Sequence, residues 1–359
     1  MKPGTRNEDR EYRDGNASDP RDILNRHCAF WRRANSSALV AKMPQPYWGG
    51  KPYPLRGRAV TEPTAITPDD VDIDRLLGVD RLLPQWAQDD MIESVGNIYP
   101  TAWMEALIGC SIHASAFGCV AKSPNIDLRQ AAQDFSVDAA LKSEWFAVMA
   151  RVLERARECA RDQLAVRQWH MRGVVDMLAA YFGEAALCTL VYDAPDALRV
   201  LADKFADTWI AVARRGLELR PRWNAGYVSA WRVYAPEPVI DYQIDASSLF
   251  SSKMYVEHFL DTDRKVLQAF PHSIVHTHAA SLRHVAALIT LPELGGIEIH
   301  LDRETGVWEK ETVLATCRAI QARNKTIVLW GELNADELRE FQTALDPRGL
   351  AINYWEHSD

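Results

Sequence analysis

Short apolar runs rich in β-branched residues, each closing on polar or aromatic-polar positions, recur through the second half of the chain. They occupy 165–172 (AVRQWHMR), 225–234 (AGYVSAWRVY), 239–245 (VIDYQID), 272–278 (HSIVHTH), 296–302 (GIEIHLD), 326–332 (TIVLWGE) and 350–356 (LAINYWE). An eighth strand-like run lies at 91–98 (MIESVGNI). Stretches with helical spacing of apolar residues alternate with them, which predicts repeated βα units around a parallel sheet. A closed (β/α)8 TIM barrel is the simplest such arrangement. In that fold chemistry sits where the strands end, so each terminal polar residue becomes a site candidate.

The first half adds an extension. Residues 1–18 are polar and predict a flexible tail, and 19–359 predict one barrel domain. After Asp19-Pro20 the stretch RDILNRHCAFWRR places Ile23, Leu24, Cys28 and Trp31 at helical spacing. Residues 44–68, rich in Pro and Gly, predict an irregular crossing segment. Helices are expected over TAWMEALIG (closed by Gly109), over 136–164, the longest, and over 173–182 and 195–218.

Composition narrows the field. A chain of 359 residues, 47% hydrophobic, can bury a large core. The net charge of −8 argues against a nucleic-acid or anionic-membrane partner, since those call for clustered Lys and Arg. No apolar stretch reaches the roughly 18 residues that span a bilayer, and the charged N-terminus lacks the apolar core of a signal peptide, so a cytoplasmic location is expected. The six cysteines form no CxxC pair and are expected as free thiols.

The strand ends then supply chemistry. His276 and His278 are two apart on one strand, so their side chains project to the same side. Glu298 and His300 repeat the spacing on the next strand, with Asp302 at its tip. Two histidines from one strand plus a carboxylate or histidine from its neighbour make the three-ligand set of a catalytic zinc or similar divalent ion. Glu332 and Glu356 can complete the set or act as acid and base. A hydrogen-bonded pocket without metal stays open as the other reading. Asp245, closing DYQID, is expected either to face substrate or to cap the following turn. His170 and Arg172 close QWHMR, where a cation would bind a substrate carboxylate or pair with a neighbouring acid. Several of the twelve tryptophans (Trp169, Trp231, Trp330, Trp355) fall near strand ends, where they suit a flat, largely apolar ligand.

Several local sequences together resemble the uroporphyrinogen decarboxylase-like superfamily, which includes corrinoid-linked methyltransferases. The carriers are Gln243-Ile-Asp245-Ala-Ser-Ser248, Ser252-Lys-Met-Tyr255, His272-Ser-Ile-Val-His276-Thr-His278, Leu291-Pro-Glu-Leu294-Gly-Gly-Ile-Glu298 and Leu345-Asp-Pro-Arg-Gly-Leu350. The likeness spans roughly residues 90–356. The resemblance implies a barrel, a homodimer, a substrate-facing acid at Asp245 and a pocket tyrosine at Tyr181.

The departures argue against haem biosynthesis. The arginine-rich N-terminal segment of true decarboxylases is missing, and Tyr99 or Pro100 stands where they carry a strand-end aspartate. The methyltransferase branch binds zinc through a His-x-Cys and a later Cys. Here the matching residues read His276-Thr277-His278, and the last strand offers Tyr354, Glu356 and His357 in place of a cysteine. Nitrogen and oxygen ligands would make a harder, more Lewis-acidic site. The resemblance therefore implies methyl transfer with a separate corrinoid protein and a rim metal ion, acting on a small molecule. The alternative is a metal-free decarboxylase or lyase acting on a small carboxylated substrate. A binding module without catalysis fits poorly, because acids and histidines are costly to hold together unused.

Overall fold

The computed structural model describes residues 20–43, 52–60, 62–78, 89–90, 92–96, 101–301 and 309–356. The expected tail at 1–18 lies outside these residues, as do Tyr99, Pro100, Asp302 and His357. The fold is α/β with a parallel central sheet. Eight strands pair in parallel fashion within two sheets: β1 (Leu39–Lys42), β2 (Ser94–Val95), β3 (Ala165–Val166), β4 (Val239–Gln243), β5 (His272–His278), β6 (Gly296–Leu301), β7 (Thr326–Glu332) and β8 (Leu350–Trp355). Six of them form one sheet in the order β1-β8-β7-β6-β5-β4, and β2 pairs with β3 separately.

The two faces of the large sheet follow from the period-two alternation of a strand. Ile297, Ile299, Ile327, Leu329, Leu350 and Ile352 face the helices and join the main core. Leu39, Ala41, Ile274, Val328 and Ala351 face inward and form a second cluster with Phe30 and Trp231. In the middle of β5 and β7 this inner face is apolar, and it turns polar or aromatic toward the strand end, as in Ile274-His276-His278 and Val328-Trp330-Glu332.

The expected closed ladder is corrected at two places, where side chains stand between strand groups. The Gln168 carboxamide donates to the Asp241 carbonyl (2.8 Å) and accepts from its N–H (3.2 Å), so it takes the place of a neighbouring backbone between β3 and β4. At the other boundary the Asp90 carboxylate accepts from Val40 N–H (2.8 Å), and Asp89 accepts from Lys42 N–H (2.7 Å). Among the described residues the backbone ladder is therefore six plus two.

Three other expectations change. The run 225–234 is not a barrel strand. It forms a small antiparallel pair, Tyr227–Val228 with Tyr234–Ala235, joined by a turn in which Arg232 is left-handed at φ 59°. Its place is taken by β1, from the N-terminal extension. The helix expected over 136–164 is broken into Val137–Leu141 and Glu144–Ala160, since the Ser143 hydroxyl caps the second helix at Phe146 N–H (3.2 Å). Finally, Thr64–Ile66, Ser111–Ser115 and Gly118–Lys122 make an antiparallel sheet that the periodicity does not show.

The N-terminal ends of the strands are covered. Helix Pro20–Trp31 lays Phe30 into the inner cluster, and Trp31 stacks on His272, the first residue of β5, with ring centroids 4.5 Å apart. The hairpin at 227–235 is tied to this helix through Trp31 Nε1 to the Tyr234 carbonyl (2.8 Å). No single helix among the described residues is long and apolar enough to cross a membrane.

Candidate metal-binding active site

Adjacent parallel strands put His276 in register with Glu298 and His278 in register with His300. All four side chains belong to the inner face, so they form two stacked rows at the C-terminal end of β5 and β6. Asp245, on the turn after β4, joins them. Its Oδ1 lies 3.5 Å from His276 Nε2 and 3.8 Å from His278 Nε2, and the two Nε2 atoms are 3.0 Å apart. One ion can reach all three atoms. A second donor group, His276, Glu298 and His300, shares the same imidazole.

The two nitrogens of His276 divide these roles. Nδ1 is hydrogen-bonded to Glu298 Oε2, which aims Nε2 at Asp245 and His278. The other oxygen of Glu298 lies 3.7 Å from His300 Nδ1. A carboxylate behind a histidine fixes its tautomer and raises its basicity toward a metal. Burial alone would push the Glu298 carboxyl up, but His276 and His300 outweigh it and hold it below its usual range. Asp245 behaves alike: burial raises it, and His276, His278, Arg172 and His170 together bring it below its ordinary value. Asp245 Oδ1 is also buried without a hydrogen-bond donor, which suits a metal ligand.

Trp231 lies flat on His276, with centroids 5.1 Å apart and planes 15° from parallel. Trp330 meets Trp231 edge-on at 5.0 Å. Ala230 N–H donates to Asp241 Oδ2 (2.6 Å) and Asn353 Nδ2 donates to the Trp231 carbonyl (2.7 Å), so β4 and β8 hold the turn that carries the indole.

The opposite wall is built from β3 and its loop. Arg172, with 41% of its side chain exposed, bonds Glu105 Oε1 (3.1 Å), and Glu105 is fully buried. Asp176 lies behind them. It accepts from Ala246 N–H (2.6 Å) and Gly173 N–H (3.2 Å), joining the Arg172 loop to the Asp245 turn. Burial and the nearby Asp245 charge push the Asp176 carboxyl to about 7, against the pull of Arg172. Burial brings His170 down to about 4, helped by Arg172.

The remaining candidates lie elsewhere. Tyr354 belongs to the outer face of β8 and packs with the helix-side core. Glu356 is exposed and pairs with Lys42 (2.7 Å). Tyr181, at the far end of helix Val174–Phe182, packs on Phe182 and Phe205. Glu332 ends β7 in register with Trp355, outside both donor groups. All six cysteines are free thiols, and burial pushes Cys110 and Cys317 up to about 12. Glu105, Asp176 and Asp241 were not singled out from the sequence. Of these only Asp176 leaves a trace there, as an acid three residues after Gly173 at a helix start.

No protein-family model matches the chain, and a search of curated proteins finds no match. Among solved structures the fold is similar to that of a methyltransferase from Methanosarcina mazei, with a TM-score of 0.58, 12% identity and 92% of each chain covered.

Proposed function

We propose that this chain is a metal-assisted methyltransferase on a (β/α)8 barrel of uroporphyrinogen decarboxylase-like type, exchanging a methyl group with the corrinoid of a separate protein. The observation that carries the reading is the convergence of Asp245, His276 and His278 at 3.0 to 3.8 Å on the strand-end side of the sheet. The fold similarity to a methyltransferase supports it. Zinc or another divalent ion held by these three residues would supply Lewis acidity toward the atom that gives or takes the methyl group.

The chain's own groups prepare that position. Glu298 accepts from His276 Nδ1–H and so keeps Nε2 available as a ligand. Asp176, through Ala246, sets the turn that aims Asp245. Trp231 covers one face of the His276 ring and keeps water from it. The nitrogen and oxygen donors favour a harder acceptor than a thiol.

Elemental analysis of untagged protein, beside the His276→Ala/His278→Ala double variant, tests the reading. Wild type is expected to hold close to one divalent ion per chain, lost from a folded variant. Absence of metal from wild type, even after incubation with zinc, would overturn it.

A further inference from the structure

Beneath the candidate metal site the strands enclose a second set of charged groups that the proposed chemistry does not use. Asp241, on the inner face of β4, lies one inner position before Gln243, which is in register with His276. It is 5% exposed, and its Oδ2 accepts from Ala230 N–H (2.6 Å). Arg167 directly follows β3, with its N–H on the Val95 carbonyl (2.8 Å). Arg220 follows helix Pro195–Leu219 and is 4% exposed. Arg232, at the turn of the hairpin at 227–235, pairs with Glu93 (3.6 Å) and also feels the charge of Asp89. Burial lowers Arg167 to about 9 and Arg220 to about 10, so both stay cationic near neutrality.

These groups leave positive charge and donors in excess. Arg232 is met by Glu93 and Asp89, so Arg167 and Arg220 are left to share Asp241, with Glu93 adding a weaker pull on Arg167. Burial pushes the Asp241 carboxyl up to about 7, against Ala230 N–H and both guanidiniums. Near neutrality the acid they share is therefore only part-charged. Arg167 Nε, Arg220 Nε and Nη1, and Asp241 Oδ1 are all buried without a hydrogen-bond partner among the described residues. A buried cation lacking a counter-charge is costly, and water would satisfy its N–H groups without neutralising it. Arg167 also passes close over Gly96, where an added Cβ would stand 3.1 Å from Nε, so the glycine leaves the guanidinium room.

We infer that the barrel interior holds a binding site for one small monovalent anion, of halide or formate size, with Arg220 and Arg167 as its cationic donors. Asp241 borders the site in either state: ionised, it competes for the same guanidiniums, and protonated, it can donate to the ion from Oδ1. The hairpin carrying Ala230 and Trp231 enters the same space, and Arg220 is shut from solvent, which restricts the occupant to a small ion. Arg232 and Glu93, with 18% and 32% of their side chains exposed, give the cluster its contact with solvent. The site is independent of the rim metal and of methyl transfer.

Bromide is the probe. Chelator-treated protein, which carries no rim metal to take a halide, is crystallised with bromide as the sole halide, and the anomalous signal of bromine is mapped. One bromide in contact with Arg220 and Arg167 is expected. In solution, urea unfolding is followed at fixed ionic strength as bromide replaces the bulky gluconate ion. The midpoint should rise with the logarithm of bromide concentration, as for any ligand of the folded state alone. The affinity drawn from that dependence should fall at least about tenfold in Arg220→Gln. It should increase in Asp241→Asn, which removes the competing charge. Water at the mapped position, bromide on the outer surface alone, or bromide in the crystal without a gain in solution overturns the inference. So does an equal gain in a folded Arg220→Gln. Should that variant not fold, the wild-type map and titration with Asp241→Asn still decide.

Discussion

At the scale of single residues, the most consequential contact is the one between His276 and Glu298. It assigns the imidazole's two nitrogens to different tasks, which neither residue does alone. In Glu298→Gln the amide keeps the shape but loses the charge, and zinc affinity should fall about 10–100-fold with the circular dichroism spectrum unchanged. Competition with a chromogenic chelator measures this, and an unaltered affinity would remove Glu298 from the role given to it. The HxH spacing of His276 and His278 and the ExH of Glu298 and His300 were legible in the sequence, because a two-residue period on a strand is enough to place both on one face. Asp245 was legible through its strand-end position. Asp176 and Glu105 were not, since their importance lies in contacts across loops far apart in the chain (Asp176 to Ala246, Glu105 to Arg172). Tyr354 illustrates the limit of spacing arguments. A one-residue change of parity on β8 sends it to the helix side while Trp355 joins the inner cluster.

Among elements, the loop from β3 into helix Val174–Phe182 is the most tightly constrained. A side chain at Gly173 would place its Cβ 1.9 Å from the Gln243 carbonyl and 2.9 Å from the Tyr242 ring, so the loop can pass β4 this closely only as glycine. Gly173→Ala should cost about 1–3 kcal/mol, read as a lower urea midpoint, because neither the backbone oxygen nor the buried ring can retreat easily. A midpoint equal to wild type would show that the loop can lift away. β4 to β8 were legible because each is an apolar run of five to seven residues. β2 and β3 fall inside the predicted runs 91–98 and 165–172, but only two residues of each pair as strand, so the apolar pattern located them and overstated their length. β1, LVAK, has no neighbouring signal in an extension that reads as irregular. The run at 225–234 is apolar for a different reason: it supplies Trp231 and Val233 to the inner cluster from a hairpin.

For the molecule as a whole, closure of the N-terminal end depends on a histidine that must stay neutral. His27 accepts from Tyr234 N–H at Nδ1 (3.1 Å) and donates from Nε2 to the Asp90 carbonyl (2.7 Å), so one ring links helix, hairpin and the Asp90 segment. Burial lowers its pKa from 6.5 to about 4. The unfolded chain therefore takes up the proton first: the contribution of His27 is complete above about pH 6.5 and declines as the pH falls toward 4. The loss amounts to about 1.4 kcal/mol per pH unit. His27→Gln, less stable near neutrality, should regain ground on wild type as denaturation is repeated at lower pH. A constant difference across that window would mean that His27 is not held neutral. The two banks of the cleft raise a different matter. The histidine ligands stand on the six-stranded sheet, and Arg172 follows the two-stranded one, and the boundaries between the sheets are clasped by Gln168, Asp89 and Asp90 rather than by shared strands. Side-chain clasps can loosen and reset without any strand losing its partner. The Asp176 bridge sets a limit to such loosening, because parting the two sides at the mouth would either carry the Asp245 turn along with the Arg172 loop or break the bond from Ala246 N–H.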